Sequence, residues 1–270
     1  MPLTTASTGT RMEEVRPRTR TRSILHYGNL LAARHRLVEP IHVHESPGGR
    51  MLPRYRWSDP TDRPVYRMGI FAGIHGDEQA GVIAAVQLLH HLSVHPHLGR
   101  FHEVLVYPVC NPWGFDSGRR EGESGRDLNR CFWAEREEPE VRLLEQELRA
   151  KSFDGIIALH TDDTSEGIYG YVNGSTLTRH LLEPSLQAAS SVLPRDERPE
   201  IDSHPAESSI ITGGFSGILS APADQHPKPF EIVFETPHLA PFGLQVEAHL
   251  KAMQEILRLF PQISSHGMDI

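Results

Sequence analysis

Two periods of apolar residues interleave along this chain. Compact apolar runs occur at Tyr66 to Gly73, Val104 to Val109, Ile156 to Leu159 and Ile232 to Phe234, and read as buried strands. Between them the spacing changes to that of a helix. Asp77 to Leu92 sets Val82, Ile83, Val86, Leu88, Leu89 and Leu92 along one face, and Pro96 and Gly99 end the pattern. Glu137 to Ser152 carries Val141, Leu143, Leu144 and Leu148 in the same way, and Gly243 to Phe260 closes the chain as an amphipathic helix. Weaker signals predict a short helix from Ser23, an edge strand over Val38 to His44 and a strand at Tyr169 to Val172. A helix from Thr176 to Leu193 is interrupted at Pro184. Residues 114–126, rich in Gly, Arg and Glu, and residues 194–207, rich in Pro and charge, read as loops. Strands alternating with helices predict an α/β layered domain with much of its sheet parallel.

Length and charge narrow this picture. A chain of 270 residues buries a substantial core and reads as one large domain over residues 23–270. Residues 1–22 are polar, carry five scattered arginines, and read as a flexible leader. The net charge of −8 argues against nucleic acid as a partner, since no excess of Lys and Arg exists to neutralise phosphates. Only Cys110 and Cys131 occur, too few for a disulfide framework or a Cys-rich structural zinc site. No apolar stretch resembles a signal peptide or is long enough to cross a bilayer. The expectation is a cytoplasmic protein without a membrane partner.

The candidate chemistry gathers where apolar runs end. After Gly73 the chain presents His75 and Glu78, and imidazole and carboxylate are both good zinc ligands. The same spacing recurs at His42/Glu45, His180/Glu183 and His204/Glu207, but only His75/Glu78 follows directly on a buried strand. Two further strands end on His160 and Glu235. Ligands of open α/β sheets bind outside the carboxyl ends of strands, so the three segments can converge. A catalytic zinc needs three protein ligands and an open position, which His75, Glu78 and His160 can provide. Asp162 and Asp163 lie close to His160 in sequence, Glu231 is an alternative to Glu235, and Arg119, Arg120, Arg126 and Arg130 supply cations. His90, His91, His95 and His97 cluster where a helix ends and read as surface residues.

Five elements in order carry a resemblance: Gly73-Ile74-His75-Gly76-Asp77-Glu78, Asn111-Pro112-Trp113-Gly114, Arg120 through Arg130 with its Asp127-Leu128-Asn129-Arg130 end, Leu159-His160 and Phe234-Glu235. The chain resembles the zinc carboxypeptidase superfamily, in particular its short bacterial and murein-peptide amidase-like forms and the related succinylglutamate desuccinylase/aspartoacylase branch. That resemblance implies a three-layer fold, a mixed and mostly parallel sheet covered by helices on both faces. It implies one Zn²⁺ on His75, Glu78 and His160, with Asp127 orienting the ring of His75. Glu235 would be the general base, Arg120 would polarise the scissile carbonyl, and Asn129 and Arg130 would grip a substrate carboxylate. The implied activity is metallocarboxypeptidase-type hydrolysis of an amide in a small peptide or amino-acid conjugate. An N-acyl-amino-acid deacylase is the alternative, and a catalytically inactive metal-binding module is the alternative of another class. One departure stands out. Peptidases of this family often carry a tyrosine on a loop upstream of the glutamate, yet no tyrosine follows Tyr171 here. In its place Thr212 to Gly217 is similar to the small-residue loop of murein-peptide amidases.

Overall fold

The computed structural model describes residues 20–41, 44–46, 50–60, 66–134, 138–172, 177–212 and 216–265. Most of the predicted leader, His42, the Pro47–Gly49 turn and residues 213–215 lie outside this set.

Four parallel strands form the middle of one ten-stranded sheet: β5 (Tyr66–Ala72), β6 (His102–Tyr107), β7 (Gly155–Asp162) and β12 (Phe230–Pro237), side by side in the order β6-β5-β7-β12. Their near-continuous apolar composition follows from being covered on both faces. Antiparallel β4 (Tyr55–Ser58) and β1 (Val38–Pro40) extend the sheet beyond β6. On the other side β12 pairs antiparallel with β8 (Tyr169–Val172), followed by β11 (Ile210–Thr212), β10 (His204–Glu207) and β9 (Glu200–Ile201).

Alternation within the strands separates two cores. Met68, Ile70, Ala72, Ile157, Leu159, Ile232 and Phe234 face α1 (Thr21–Arg34), α2 (Gln79–Val94), α5 (Glu183–Ala189) and α6 (Phe242–Ser265). Phe71, Leu105, Tyr107 and Ile156 face α4 (Pro139–Lys151) on the other side. On that second face Arg54 and Tyr107 both bond the buried Glu147 carboxylate, a pairing that compensates for burying its charge. The sheet is therefore mixed, mostly parallel at its centre, with helices on both faces, as the resemblance implies.

Several local expectations change. The stretch read as one edge strand over Val38 to His44 is divided: β1 joins the main sheet, and β2 (His44–Ser46) pairs with β3 (Arg50–Leu52) in a separate ribbon. The expected 114–126 loop begins inside α3 (Pro112–Ser117), which Asn111 caps by accepting from the Gly114 amide. Residues 194–207 hold β9, at the edge of the sheet, and β10 beside it, and their polar composition reflects their exposure. The Thr176–Leu193 helix is two segments, a wide turn over Thr178–Leu182 and then α5, joined where Pro184 cannot donate to the helix.

Candidate metal and active site

The chain turns sharply between β5 and α2, and the turn is held against α3. A Cβ on Gly76 would lie 1.9 Å from the Gly114 carbonyl carbon, so only glycine allows this approach of two backbones. Asn111 secures the same junction: its amide donates to Ile74 O (3.3 Å), Arg120 O (3.4 Å) and Glu121 O (3.0 Å). The Asn111–Gly114 element thus ties the His75 turn to the loop that carries Arg120.

His75, Glu78 and His160 meet as expected. Their donor atoms lie within 4.8 Å of one another, and among the described residues they are the one His/Cys/Asp/Glu group that could hold a metal ion. His75 Nδ1 is 2.6 Å from Glu78 Oε1, His160 Nδ1 is 3.0 Å from Glu78 Oε2, and the two Nδ1 atoms are 3.3 Å apart. The Thr161 amide donates to Glu78 Oε2 (3.1 Å). The histidines near the end of α2 form no such group, and Asp162 is engaged elsewhere, accepting from Tyr169 Oη (2.9 Å) and from Thr164.

Asp127 organises the next layer. Its Oδ1 accepts from His75 Nε2 (3.0 Å) and the Asn129 amide (2.9 Å), while its Oδ2 accepts from Arg120 Nε (3.3 Å) and Nη2 (3.0 Å). A proton held on His75 Nε2 by Asp127 makes Nδ1 the nitrogen that faces Glu78 and His160. Two ring nitrogens and a carboxylate converging on one buried spot form a donor set that suits a divalent metal. Burial alone would lower the His75 pKa, but the Glu78 charge and the hydrogen bonds to Asp127 and Glu78 outweigh it and hold His75 at about 9. Burial opposes ionisation of Glu78 and Asp127 too, yet both stay well below the usual carboxylate range, Glu78 through His75 and His160, Asp127 through His75 and Arg120.

Of the candidate arginines, Arg120 faces this centre, with Nη1 3.3 Å from Glu78 Oε1. Arg126 pairs with Glu138 (2.8 Å), and Arg119 lies over the Trp113 ring at 5.9 Å from its centroid. Asn129 is buried, and its Oδ1 accepts from the Leu219 amide (2.9 Å). Arg130 is exposed, and its Nη1 donates to Asn129 O (2.8 Å).

Glu235 is in register with His160 on β7 and with Tyr169 on β8, so the three side chains share one face of the sheet. It is buried, and its Oε2 has no hydrogen-bond partner among the described residues. Burial and the nearby Glu78 charge push its carboxyl well above the ordinary range. Glu231 sits four residues earlier on β12, where it accepts from the Ala221 amide (2.6 Å). Sequence reasoning overlooked the Leu219 amide behind Asn129, and Tyr169 and Tyr171 beside Glu235. The alternation of Tyr169-Gly170-Tyr171 carried the signal that both rings share a face.

Residues 64–193 match the succinylglutamate desuccinylase/aspartoacylase catalytic domain. No curated protein matches the chain in sequence. Among solved structures, the chain is similar to a metallopeptidase candidate from Shewanella denitrificans OS217, with 24% identity, 89% of this chain and 90% of that one covered, and a TM-score of 0.75. It is also similar to carboxypeptidase A from Helicoverpa armigera, with 16% identity, 93% and 75% covered, and a TM-score of 0.70. The chain has the fold of these carboxypeptidases. A third structure of this fold is the metallo-carboxypeptidase of Pseudomonas aeruginosa bound to (2-guanidinoethylmercapto)succinic acid, with 16% identity, 90% and 69% covered, and a TM-score of 0.70. The matched catalytic domain spans the segments that carry His75, Glu78, Asp127 and His160. No helix among the described residues is long and apolar enough to cross a membrane.

Proposed function

We propose that this chain is a zinc-dependent amide hydrolase of metallocarboxypeptidase type, acting on a small peptide or amino-acid conjugate with a free carboxylate. One observation carries the reading: His75, Glu78 and His160 converge, and His160 is in direct register with Glu235, a protonatable carboxyl whose Oε2 has no hydrogen-bond partner among the described residues. The chemistry that zinc supplies when bound to His75, Glu78 and His160 is Lewis acidity toward a carbonyl and acidification of water.

The remaining work falls to side chains. Asp127 keeps a proton on His75 Nε2 and so fixes which nitrogen faces the centre. Glu235 takes a proton from the attacking water and passes it to the leaving amine; a carboxyl held above its usual pKa by burial is matched to that exchange near neutral pH. Arg120, held on Asp127, offers a guanidinium to the oxygen on which negative charge develops. Asn129 and Arg130 receive the substrate carboxylate, Arg130 through a bidentate fork.

A second reading is N-acyl-amino-acid deacylation, favoured by the matched domain. It uses the same residues on an acyl amide. Metal content and hydrolysis of short peptides and acylated amino acids, measured for wild type, His75→Ala and Glu235→Ala, test both. His75→Ala is expected to lose the ion, and Glu235→Ala to keep zinc but lose turnover by about 10²–10⁴-fold. Full activity in either variant, or wild-type protein that binds no zinc, overturns the proposal.

A further inference from the structure

We propose, resting on the reading of the site above, that His249, buried in α6 behind the sheet, is a positioning residue. Through Thr236 it holds the His160–Thr161 peptide, and so sets the metal ligands His160 and Glu78.

The contacts begin where two strands end. Thr236 follows Glu235, Thr161 follows His160, and the two threonines are in register. Glu235 and His160 share one face of the sheet, so alternation turns both threonines to the opposite face, where α6 packs. Phe234 points the same way, and its ring meets the His249 ring at 5.5 Å between centroids. His249 Nε2 is 3.1 Å from Thr236 Oγ1, which in turn is 3.3 Å from Thr161 Oγ1 and 3.5 Å from His160 O. The His160–Thr161 peptide is thereby gripped from both sides. Its carbonyl accepts from Thr236, and its N–H donates to Glu78 Oε2 (3.1 Å). A peptide unit is planar, so a rotation that loosens the first contact also disturbs the second.

The support behind Thr236 is itself fixed. One turn before His249, the buried Gln245 donates through Nε2 to His238 O (3.1 Å) and Ala240 O (2.7 Å), just beyond β12. For core packing alone His249 is a poor choice. Its Nδ1 is buried with no hydrogen-bond partner among the described residues, a cost that an apolar side chain of similar size avoids. The orphaned atom also selects the tautomer. A proton on Nε2 leaves only a lone pair unmatched at Nδ1, whereas a proton on Nδ1 would strand a buried N–H, which folded proteins tolerate less. Nε2–H then donates to Thr236 Oγ1, Thr161 Oγ1 donates to the same oxygen, and the Thr236 proton is directed to His160 O. Without the imidazole, the Thr236 hydroxyl is free to turn away from that carbonyl.

The test measures zinc affinity of the full-length protein by competition with a chelator. It also measures kcat and KM of the zinc-loaded protein on a short peptide and an acylated amino acid. His249→Leu and Thr236→Val each remove one end of the contact. Each is expected to weaken zinc binding about tenfold and to lower kcat about tenfold. KM should be unchanged, because Asn129 and Arg130 are held by other contacts. The double variant should lose no more than either single one, since both break the same chain of bonds. His249→Gln and Thr236→Ser keep a donor and a hydroxyl in place and should restore most of the affinity. If one single variant does not fold, the other and its restoring counterpart decide. Val246→Ala trims a buried apolar side chain of the same helix; it should lower the melting temperature and leave affinity and kcat as in wild type. Wild-type zinc affinity in His249→Leu or Thr236→Val overturns the inference while amide hydrolysis stands. Losses that add in the double variant, or that Val246→Ala reproduces, overturn it too. Weakened zinc binding in both variants, with no substrate hydrolysed by wild type, supports the inference and overturns the hydrolase reading. A wild type that binds no zinc overturns both.

Discussion

Gly217 offers a way to move Arg130 without touching it. The loop after residue 215 rests on the segment proposed to bind the substrate carboxylate: Gly217 O accepts from the Phe132 amide (3.0 Å), and the Leu219 amide bonds Asn129. Gly217 has φ 76°, and a Cβ there would lie 2.7 Å from Arg130 O and 2.9 Å from Arg130 C. Ordinary contact begins at 3.4 Å, so Gly217→Ala must separate the two backbones by about 0.7 Å. Left-handed backbone costs an alanine about 1–2 kcal/mol. Gly125 supplies the control, since it has φ 79° and nothing within 4 Å of its Cβ position. Gly125→Ala and Gly217→Ala should therefore share the backbone cost, about 2–8 °C in melting temperature for a chain of this size. Only Gly217→Ala displaces the grip on the substrate. Because a 1 Å misplacement costs up to about 10²-fold, KM for a carboxylate-bearing substrate is expected to rise about tenfold. Metal content should be unchanged in both variants. A Gly217→Ala enzyme with wild-type KM and a Gly125-like melting temperature would show that the loop yields rather than Arg130, and would refute the reasoning.

Two further predictions concern the metal centre. Asp127→Asn removes the charge behind His75 and the partner of Arg120, and is expected to weaken zinc binding by about 10–100-fold in competition with a chelator; unchanged affinity would mean that His75 is oriented by other contacts. The proton on His75 gives a pH signature. In metal-free protein its pKa is raised from 6.5 to about 9, so its stabilising contribution is complete below pH 6.5 and is lost as pH rises through 9. Zinc must displace that proton, so zinc titrated into weakly buffered metal-free protein at pH 7.5 should release it, and affinity should climb with pH up to about 9. Titration without proton release would contradict the protonated resting state.

How much of this was legible in the residues depends on whether the signal was local. The middle strands and long helices were readable because continuous apolar runs and helical apolar faces record burial directly. His75 and Glu78 were readable as a pair because three residues of one turn hold them, and His160 and Glu235 because each lies near the carboxyl end of an apolar run. The outlying strands β9 and β10 were not readable, since an exposed two- to four-residue strand buries too little to leave a period. The choice among Arg119, Arg120 and Arg126 was equally hidden, because all three share one loop.

The sequence by itself determined the α/β class, the positions of the middle strands and the types of residue that chemistry would use. These follow from which segments must leave water and which donors a metal accepts. Only the tertiary structure decided which donors meet. Strand register places Glu235 beside His160, and Glu138 and Trp113 engage Arg126 and Arg119 while Asp127 and Glu78 hold Arg120. Contacts between residues far apart in sequence depend on how faces pack, and no local pattern of apolar and polar residues records that choice.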